Sequence, residues 1–396
     1  MRVTTAYTFN AGVDELQRRQ QGLAEAQLQL TSGKRVQRAS DDPTAAARAE
    51  RALASVARSD ADQRALEASR NAMTLTESAL GDAGELLQQV REAMVAAGNP
   101  TYSDAERAGL AEKLKNLRAQ LLAVANRSDG AGGFLFAGQG AGQAPFVDAP
   151  GGVVYRGTGG GVDTASAEPL PLTVDGRNAW MNAWSGNGSF VTDNVNSTTA
   201  YVDAGQVSDP SALTGEPYRI VFGAGGTTYD VLRGDPLAPY LSAQPFTPGK
   251  AIEIDGMAFT IGGAPAAGDT FELHPSRPEL GVFDVLDRAI AELATPLRTP
   301  AQVTQTVSRT LRDLDASMGA LQGLRAAVGE VLNRTDMVEG RVAAQKLHGQ
   351  TERSNAEDLD MVQAISDFQN RQTGYDAALK AYSIVQRMSL FQYLNG

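Results

Sequence analysis

Few residues in this chain have the types and spacing that chemistry requires, and each can be weighed in turn. Gly138-Gln139-Gly140-Ala141-Gly142 has the glycine density of a phosphate-binding loop. Such a loop needs a strand before it, a helix after it and the spacing GxGxxG or GxxxxGK. Here Gln143-Ala144-Pro145-Phe146 follows, which cannot open a helix cleanly, and no lysine is near. The run is expected to be a flexible junction between domains. Asp41, Asp42, Asp60 and Asp62 could be taken for a carboxylate metal site. A helix cap accounts for the first pair and a solvated helix surface for the second.

The histidines are His274 and His348 alone, and there is no cysteine. That excludes a disulfide framework, cysteine-ligated zinc, an iron–sulfur centre, a thiol nucleophile and a histidine-rich metal site. His274 is expected to support a turn at a strand end, and His348 to lie exposed on a helix. Ser185, in Ala183-Trp184-Ser185-Gly186-Asn187, lacks the flanking glycines of a nucleophile elbow. With two histidines in dissimilar contexts, a serine triad is not supported. No pair of carboxylates stands out for glycoside hydrolysis. Trp180 and Trp184 bracket a polar stretch and could stack a sugar, or pack into a β domain. Asn126, Asn187, Asn196 and Asn333 begin Asn-x-Ser/Thr sequons at about the frequency of chance. The chain reads as a structural subunit, not an enzyme, with no cofactor and no metal.

The 396 residues exceed what one compact core usually organises. Acidic residues outnumber basic ones by 46 to 35, a formal charge of −11. Such a surface repels phosphate, so nucleic acid and anionic membranes are poor partners. The N-terminus, Met1-Arg2-Val3-Thr4-Thr5-Ala6-Tyr7, continues polar without the apolar region of a secretory signal. No long apolar window suggests membrane insertion. The expectation is a soluble protein without a standard cleaved signal.

Punctuation residues divide the chain. Residues 129–278 hold 26 of the 41 glycines, 13 of the 17 prolines, and 15 acidic against 6 basic residues. The flanks are nearly neutral, rich in alanine, leucine, glutamine and arginine, and almost free of proline. The pattern predicts α+β architecture: a long antiparallel helical bundle or coiled coil from both termini, with an inserted β-rich domain. Five segments follow. They are an N-terminal helix and loop (1–40), the first part of a helical rod (41–128), a Gly/Pro-rich acidic β domain (129–278), the second part of the rod (279–355) and a C-terminal helix (356–396).

Periodicity supports the helices. Val13, Leu16, Gln20, Leu23, Gln27 and Leu30 form a seam diluted by glutamine, ending at Thr31-Ser32-Gly33-Lys34. The next helix starts near Ser40-Asp41-Asp42-Pro43, where Asp42 can cap free amides and Pro43 suits the first helical position. Leu53, Val56, Leu66, Met73, Leu80, Leu87, Val90 and Met94 mark its apolar side. A third begins at Ser103, with Glu106 completing a capping box, and carries Leu110, Leu114, Leu117, Leu121 and Val124. Beyond the insertion, Thr299-Pro300-Ala301-Gln302 offers a second box ahead of Val307, Leu311, Leu314, Met318, Leu321, Val328 and Leu332. The last helix runs from about Asp358, with Ile365, Phe368, Tyr375, Leu379, Tyr382, Val385 and Met388 on its richer face. Within the insertion, Tyr218, Ile220 and Phe222 turn back through Gly223-Ala224-Gly225-Gly226 to Thr227, Tyr229 and Val231, a hairpin. Ile252, Ile254, Phe259, Ile261 and Phe271 suggest further strands, while 151–215 carries a weak signal without an order.

These residues also carry a family likeness. Thr31-Ser32-Gly33-Lys34-Arg35-Val36, then Ser40-Asp41-Asp42-Pro43 and an alanine-rich helix, resembles the N-terminal region of flagellins and their hook-associated relatives. Gly132-Gly133-Phe134-Leu135-Phe136-Ala137-Gly138 and the C-terminal Ala378-Leu379-Lys380-Ala381-Tyr382 with Ser389-Leu390-Phe391-Gln392 are similar to the hook–filament junction members. Filament flagellins typically have Asp-Asp-Ala-Ala-Gly and end in Leu-Leu-Arg, where this chain has Asp-Asp-Pro and Leu-Phe-Gln. The likeness covers residues 1–140 and 280–396. Within the insertion only Ile254-Asp255-Gly256 through Gly268-Asp269-Thr270-Phe271 shares it.

The resemblance implies a structural subunit of the bacterial flagellum at the junction of hook and filament. It implies a homo-oligomeric ring touching the first hook-associated protein and flagellin. Export would run through the flagellar type III apparatus with a chaperone and without a cleaved signal, and the protein would be extracellular. Self-assembly would fall to the terminal helices through Leu16, Leu23, Leu30, Ile365, Leu379, Tyr382, Val385, Leu390 and Phe391. The thin first seam is too weak for an isolated helix, so both ends are expected to be loosely ordered in the monomer. Two alternatives stand beside this reading: a filament flagellin, and a secreted glycan-binding or hydrolytic module on a helical stalk.

Overall fold

The structure, a computed structural model, describes the backbone of residues 5–140 and 142–394, and the side chains except at 5, 6, 8 and 386–394. The described chain forms two units. One is made of the segments up to Arg64 and from Glu339 onward; the other is Ala65–Val338.

The helices are α1 (Thr5–Ser32), α2 (Pro43–Ala97), α3 (Asp104–Ala125), the short α4 (Arg177–Met181), α5 (Val282–Ala294), α6 (Pro300–Glu357) and α7 (Met361–Leu394). Their starts follow local chemistry. Asp42 Oδ1 accepts from the amides of Thr44 and Ala45, 3.1 and 3.0 Å away, so α2 opens with a filled cap and Pro43 in its first turn. Ser103 and Glu106 make a reciprocal box at α3. Thr299 and Gln302 do the same ahead of α6, with each amide accepted by the other's side chain.

In the larger unit α2 and α6 run antiparallel, tied by Arg70 to Asp336, Glu77 to Arg325 and Arg91 to Asp315. Such half-exposed pairs contribute little. The stabilisation comes from what lies between: Met73, Leu80, Leu87 and Met94 of α2, Leu114, Leu117 and Leu121 of α3, and Leu314, Leu321 and Val328 of α6. At roughly 2 kcal/mol per buried aliphatic side chain, this stripe dominates the unit. Three buried hydroxyls of the stripe are satisfied within their own helices, and Ser69 of α2 instead donates to the Pro171 carbonyl at 2.7 Å. Thr76, Ser317 and Thr335 each donate to the carbonyl four residues back.

The same core takes in α5, a helix that the sequence reading did not delimit within the segment 279–355. Val282, Leu286, Ala289, Ile290 and Leu293 repeat at 3–4 spacing and are buried against α3. Thr295-Pro296 ends the helix. Trp180 of α4 is fully buried at one end of this core, stacked on Phe283 at 6.0 Å and edge-on to Phe136 at 5.5 Å.

Thirteen strands follow one another between Phe146 and Leu280. They are β1 (Phe146–Ala149), β2 (Gly152–Tyr155), β3 (Ala183–Trp184), β4 (Phe190–Asn194), β5 (Ala200–Val202), β6 (Gln206–Val207), β7 (Tyr218–Phe222), β8 (Thr228–Arg233), β9 (Ala238–Pro245), β10 (Ala251–Ile254), β11 (Met257–Gly263), β12 (Thr270–Pro275) and β13 (Pro278–Leu280). One antiparallel sheet has the order β4-β12-β7-β8-β9. A second has β10-β11-β5, with β6 also on β11. The β7–β8 hairpin pairs Phe222 with Tyr229. The β10–β11 hairpin turns on Asp255 (φ 42°) and Gly256 (φ 79°), the left-handed pair that matches strand twist. Phe190, Tyr218, Ile220, Phe259, Ile261, Phe271 and Leu273 fill the space between the sheets. The weakly patterned stretch 151–215 supplies β2 through β6 and α4. The strands are fastened to α6, since Val202 N–H donates to Gln305 Oε1 at 2.8 Å and Arg312 donates to the Thr192 carbonyl at 3.0 Å.

Candidate assembly site at the paired termini

The residues first considered for chemistry are occupied with structure. Gly138 has φ 64°, and a Cβ there would lie 1.9 Å from the Thr158 carbonyl oxygen. Its amide donates to Val174 O and its carbonyl accepts from the Thr173 hydroxyl. The glycine run therefore begins in a packed turn and not a flexible junction, because only a residue without a side chain lets two backbones approach so closely. Ala141 lies outside the described residues. Asp41 Oδ2 accepts from the amides of Gln37 and Arg38, and Asp60 pairs with Lys346 at 2.7 Å. Among the described residues no group of three His, Cys, Asp or Glu could hold a metal ion. His274 faces Glu272 at 3.0 Å, and His348 is exposed on α6. Trp180 has no exposed face while Trp184 is exposed on β3, so the two do not form a sugar platform together. Trp180 packs on Phe136 and Phe146 of the inserted segment as well as on Phe283 of α5. No helix of the described residues is long and apolar enough to cross a membrane.

In the smaller unit α1 and α7 lie antiparallel. Phe9 meets Tyr382 with ring centroids 5.7 Å apart, Arg19 donates to the Gly374 carbonyl, and Arg371 donates to the Gly22 carbonyl at 2.9 Å. Three glycines sit under large side chains of the opposite helix. A Cβ on Gly12 would be 3.3 Å from the Tyr382 ring, one on Gly22 3.3 Å from Arg371, and one on Gly374 3.1 Å from Arg19. Leu16, Leu23 and Leu30 are only half-buried. On α7 the expected apolar face divides. Phe368, Tyr375 and Tyr382, seven residues apart, are half-buried. Ile365, Leu379 and Val385 are exposed, as are Val362 and Ile384. Thus Tyr382 faces α1 and the other three do not. The side chains of Leu390 and Phe391 lie outside the described residues.

The two chain bends, after α1 and after α6, meet. Arg35 N–H donates to the Glu357 carbonyl at 2.7 Å, and Leu359 N–H to the Gly33 carbonyl at 3.0 Å. Lys34 Nζ lies 3.2 Å from Glu357. Gly33 takes φ 71°, which lets α1 end and the chain turn. Asp41 and Asp42 hold the far side of the bend, while Ser40 is exposed with its hydroxyl near Asp41. The Asp42 carboxyl is pulled down to about 2, first by the Ala45 amide and then by the Thr44 hydroxyl, with Arg35 adding to it. Backbone amides of Arg38 and Gln37 lower Asp41 in the same way. Sequence reasoning read these residues as a cap and a family motif. It missed that Gly33, Lys34 and Arg35 contact the opposite bend, because main-chain pairing between distant segments leaves no periodic signal.

The description "bacterial flagellin N-terminal helical region" fits residues 3–141, and "bacterial flagellin C-terminal helical region" fits residues 311–394. The chain belongs to the flagellin family. Within it, the chain is similar to the flagellar hook-associated protein 3 of Salmonella typhimurium, 26% identical over 398 residues and covering 99% of each chain. The same protein of Escherichia coli is 27% identical over 92% of this chain and 90% of its own. Among solved structures, FlgL of Xanthomonas campestris superposes with a TM-score of 0.70 at 28% identity, spanning 77% of this chain and 99% of that one. Hook-associated protein 3 of Legionella pneumophila gives 0.68 at 26%, over 76% of this chain and 96% of its own. The paired termini thus fall within the two helical regions by which the flagellin family is recognised.

Proposed function

We propose that this chain is a non-enzymatic structural subunit of the bacterial flagellum that joins hook to filament. The observation that carries the reading is the end-to-end likeness to hook-associated protein 3, insertion included. In this reading the subunit forms a homo-oligomeric ring between the first hook-associated protein and flagellin. It is exported with a chaperone and without a cleaved signal, and works outside the cell. The segments 1–40 and 356–396 drive assembly, 41–128 and 279–355 form the supporting helices, and the acidic 129–278 faces outward.

The exposed Ile365 and Leu379, which share one side of α7 with Val362 next to them, support the assembly role, since an apolar helix face left open in one chain gains from being covered by another, while Val385 is exposed on a different side of the helix. The half-buried seam of α1 supports a terminal pair that is weakly held in the free subunit and completed on assembly. Limited proteolysis tests this second point: cleavage is expected first within 1–35 and 360–396, and equal protection of the middle and the ends would refute it. Antibody labelling of intact flagella in the electron microscope tests the whole reading. One band at the boundary of hook and filament is expected. Label along the entire filament would instead identify a filament flagellin.

A further inference from the structure

The bend between α1 and α2 and the bend between α6 and α7 are 321 residues apart in sequence, yet one side chain reaches both. Arg35 Nη1 donates to Asp42 Oδ2 at 3.2 Å, and Arg35 Nη2 donates to the Ala356 carbonyl at 2.9 Å. Asp42 sits at the start of α2, where unpaired amides make the helix end positive. Ala356 belongs to the last turn of α6, where unpaired carbonyls make it negative. One guanidinium and one carboxylate therefore serve both helix ends together, and the planar fork of arginine suits two acceptors in different directions.

The main chain beside Arg35 carries the second half of the joint. The Arg35 amide donates to Glu357 O and the Leu359 amide to Gly33 O, which pairs Lys34 with Asp358 as in a short antiparallel ladder. This ladder stands where α1 ends and α7 is about to begin. Asp360 then caps α7 by accepting from the amides of Val362 and Gln363. The ladder thus sets which residue of α1 lies opposite which residue of α7. The contacts further out keep the same count to within one residue: Gly33 opposite Leu359, Gly22 opposite Arg371, Arg19 opposite Gly374, Gly12 opposite Tyr382.

We propose that Arg35 is the positioning residue of the terminal pair, locking the two bends together so that α1 and α7 gain or lose order jointly. The inference rests on the reading of the pair as the assembly element for its biological meaning, but its physical content concerns the free chain alone. A surface ion pair by itself would be worth little. Arg35 matters because the bonds it makes hold the short ladder closed, and the ladder registers two long helices whose own seam is thin.

The test is hydrogen exchange by mass spectrometry on the full-length chain, labelled from milliseconds to minutes, comparing wild type with Arg35→Ala, Arg35→Lys and Asp42→Asn. With Arg35→Ala, exchange across 361–385 is expected to rise about fivefold or more, in step with 9–32, while 73–125 and 282–328 keep their wild-type rates. Arg35→Lys keeps the charge but not the fork, so it should restore part of the protection. Asp42→Asn keeps the amide-capping oxygen and loses the ion pair, so it should show the same joint rise at smaller size. The unchanged middle serves as the control that the chain still folds. Exchange across 361–385 that equals wild type in Arg35→Ala overturns the proposal, as does a rise confined to 9–42. Junction labelling of wild-type flagella is read separately: its failure would remove the assembly role and leave the coupling in the free chain to stand or fall on exchange.

Discussion

Leu121 and Leu23 both sit on helical apolar seams, yet Leu121 is fully buried in the helical core of the larger unit while Leu23 is half-exposed beside α7. The larger unit closes its stripes upon itself with four helices and an aromatic cluster at Trp180. The terminal pair has only two helices, three glycines at the contact and an apolar line facing solvent. The difference teaches that a 3–4 repeat reports a side that wants covering, not the partner that covers it. One region finds its partner within the chain; the other is left with a surface to give away.

Truncating both leucines gives the largest expected contrast between the two regions. Leu121→Ala should destabilise the larger unit by about 2–5 kcal/mol in denaturant unfolding, because a cavity is left in a closed core. Leu23→Ala should cost less than about 1 kcal/mol in the free chain, since water already reaches the site. Equal losses would mean that the terminal seam is as well packed as the core.

Acid separates the regions next. Asp42 and Asp41 are held below the ordinary value of 3.8, so the unfolded segment binds those protons more readily than the folded one. The stability they lend to the bend is complete above 3.8 and is lost as pH falls toward and through about 2. Exchange at 33–46 should therefore speed up over that window beyond its intrinsic pH dependence, and Asp42→Ala should remove most of the change. In the larger unit burial raises Asp193, whose sign is opposite, and its contribution improves as pH falls.

Glycine replacement gives a smaller contrast. A Cβ on Gly329, within α6, meets nothing within 4 Å, so Gly329→Ala should stabilise by up to about 1 kcal/mol through helix propensity. Gly12→Ala should gain nothing or lose, because its methyl would press the Tyr382 ring. Thermal unfolding and exchange read the two. Smallest in the free chain is Leu379→Ser, an exposed change worth a few tenths of a kcal/mol. It should nonetheless abolish labelling at the junction in cells carrying only that variant. Normal labelling would show that this face is not used.

Much of this was legible in residue types. Asp42-Pro43, Ser103 with Glu106, and Thr299 with Gln302 marked three helix starts because capping is local chemistry. Gly223-Ala224-Gly225-Gly226 marked the β7–β8 hairpin for the same reason. The helix α5 was not delimited, although Val282, Leu286, Ala289 and Leu293 carry a clear repeat; it starts at Gly281 with no side-chain cap, so no local signal marked its beginning. The face of α7 could not be assigned either. Its lines Ile365/Leu379 and Phe368/Tyr375/Tyr382 are adjacent and both apolar, and only the position of α1 chooses between them. The ladder at Lys34 and Asp358 was invisible, being made of main-chain atoms that every residue owns.

The three glycines of the terminal pair carry one more consequence. Each is a notch receiving a large side chain from the opposite helix, and the notches lie on both helices. A slide of one turn, about 5.4 Å, would lift Tyr382, Arg371 and Arg19 out of all three at once. In one direction it would set Arg371 beside Arg18, like charge against like. The pair therefore behaves as a key that turns in one position only, and a subunit that enters a growing structure misaligned is penalised three times over before any neighbour has touched it.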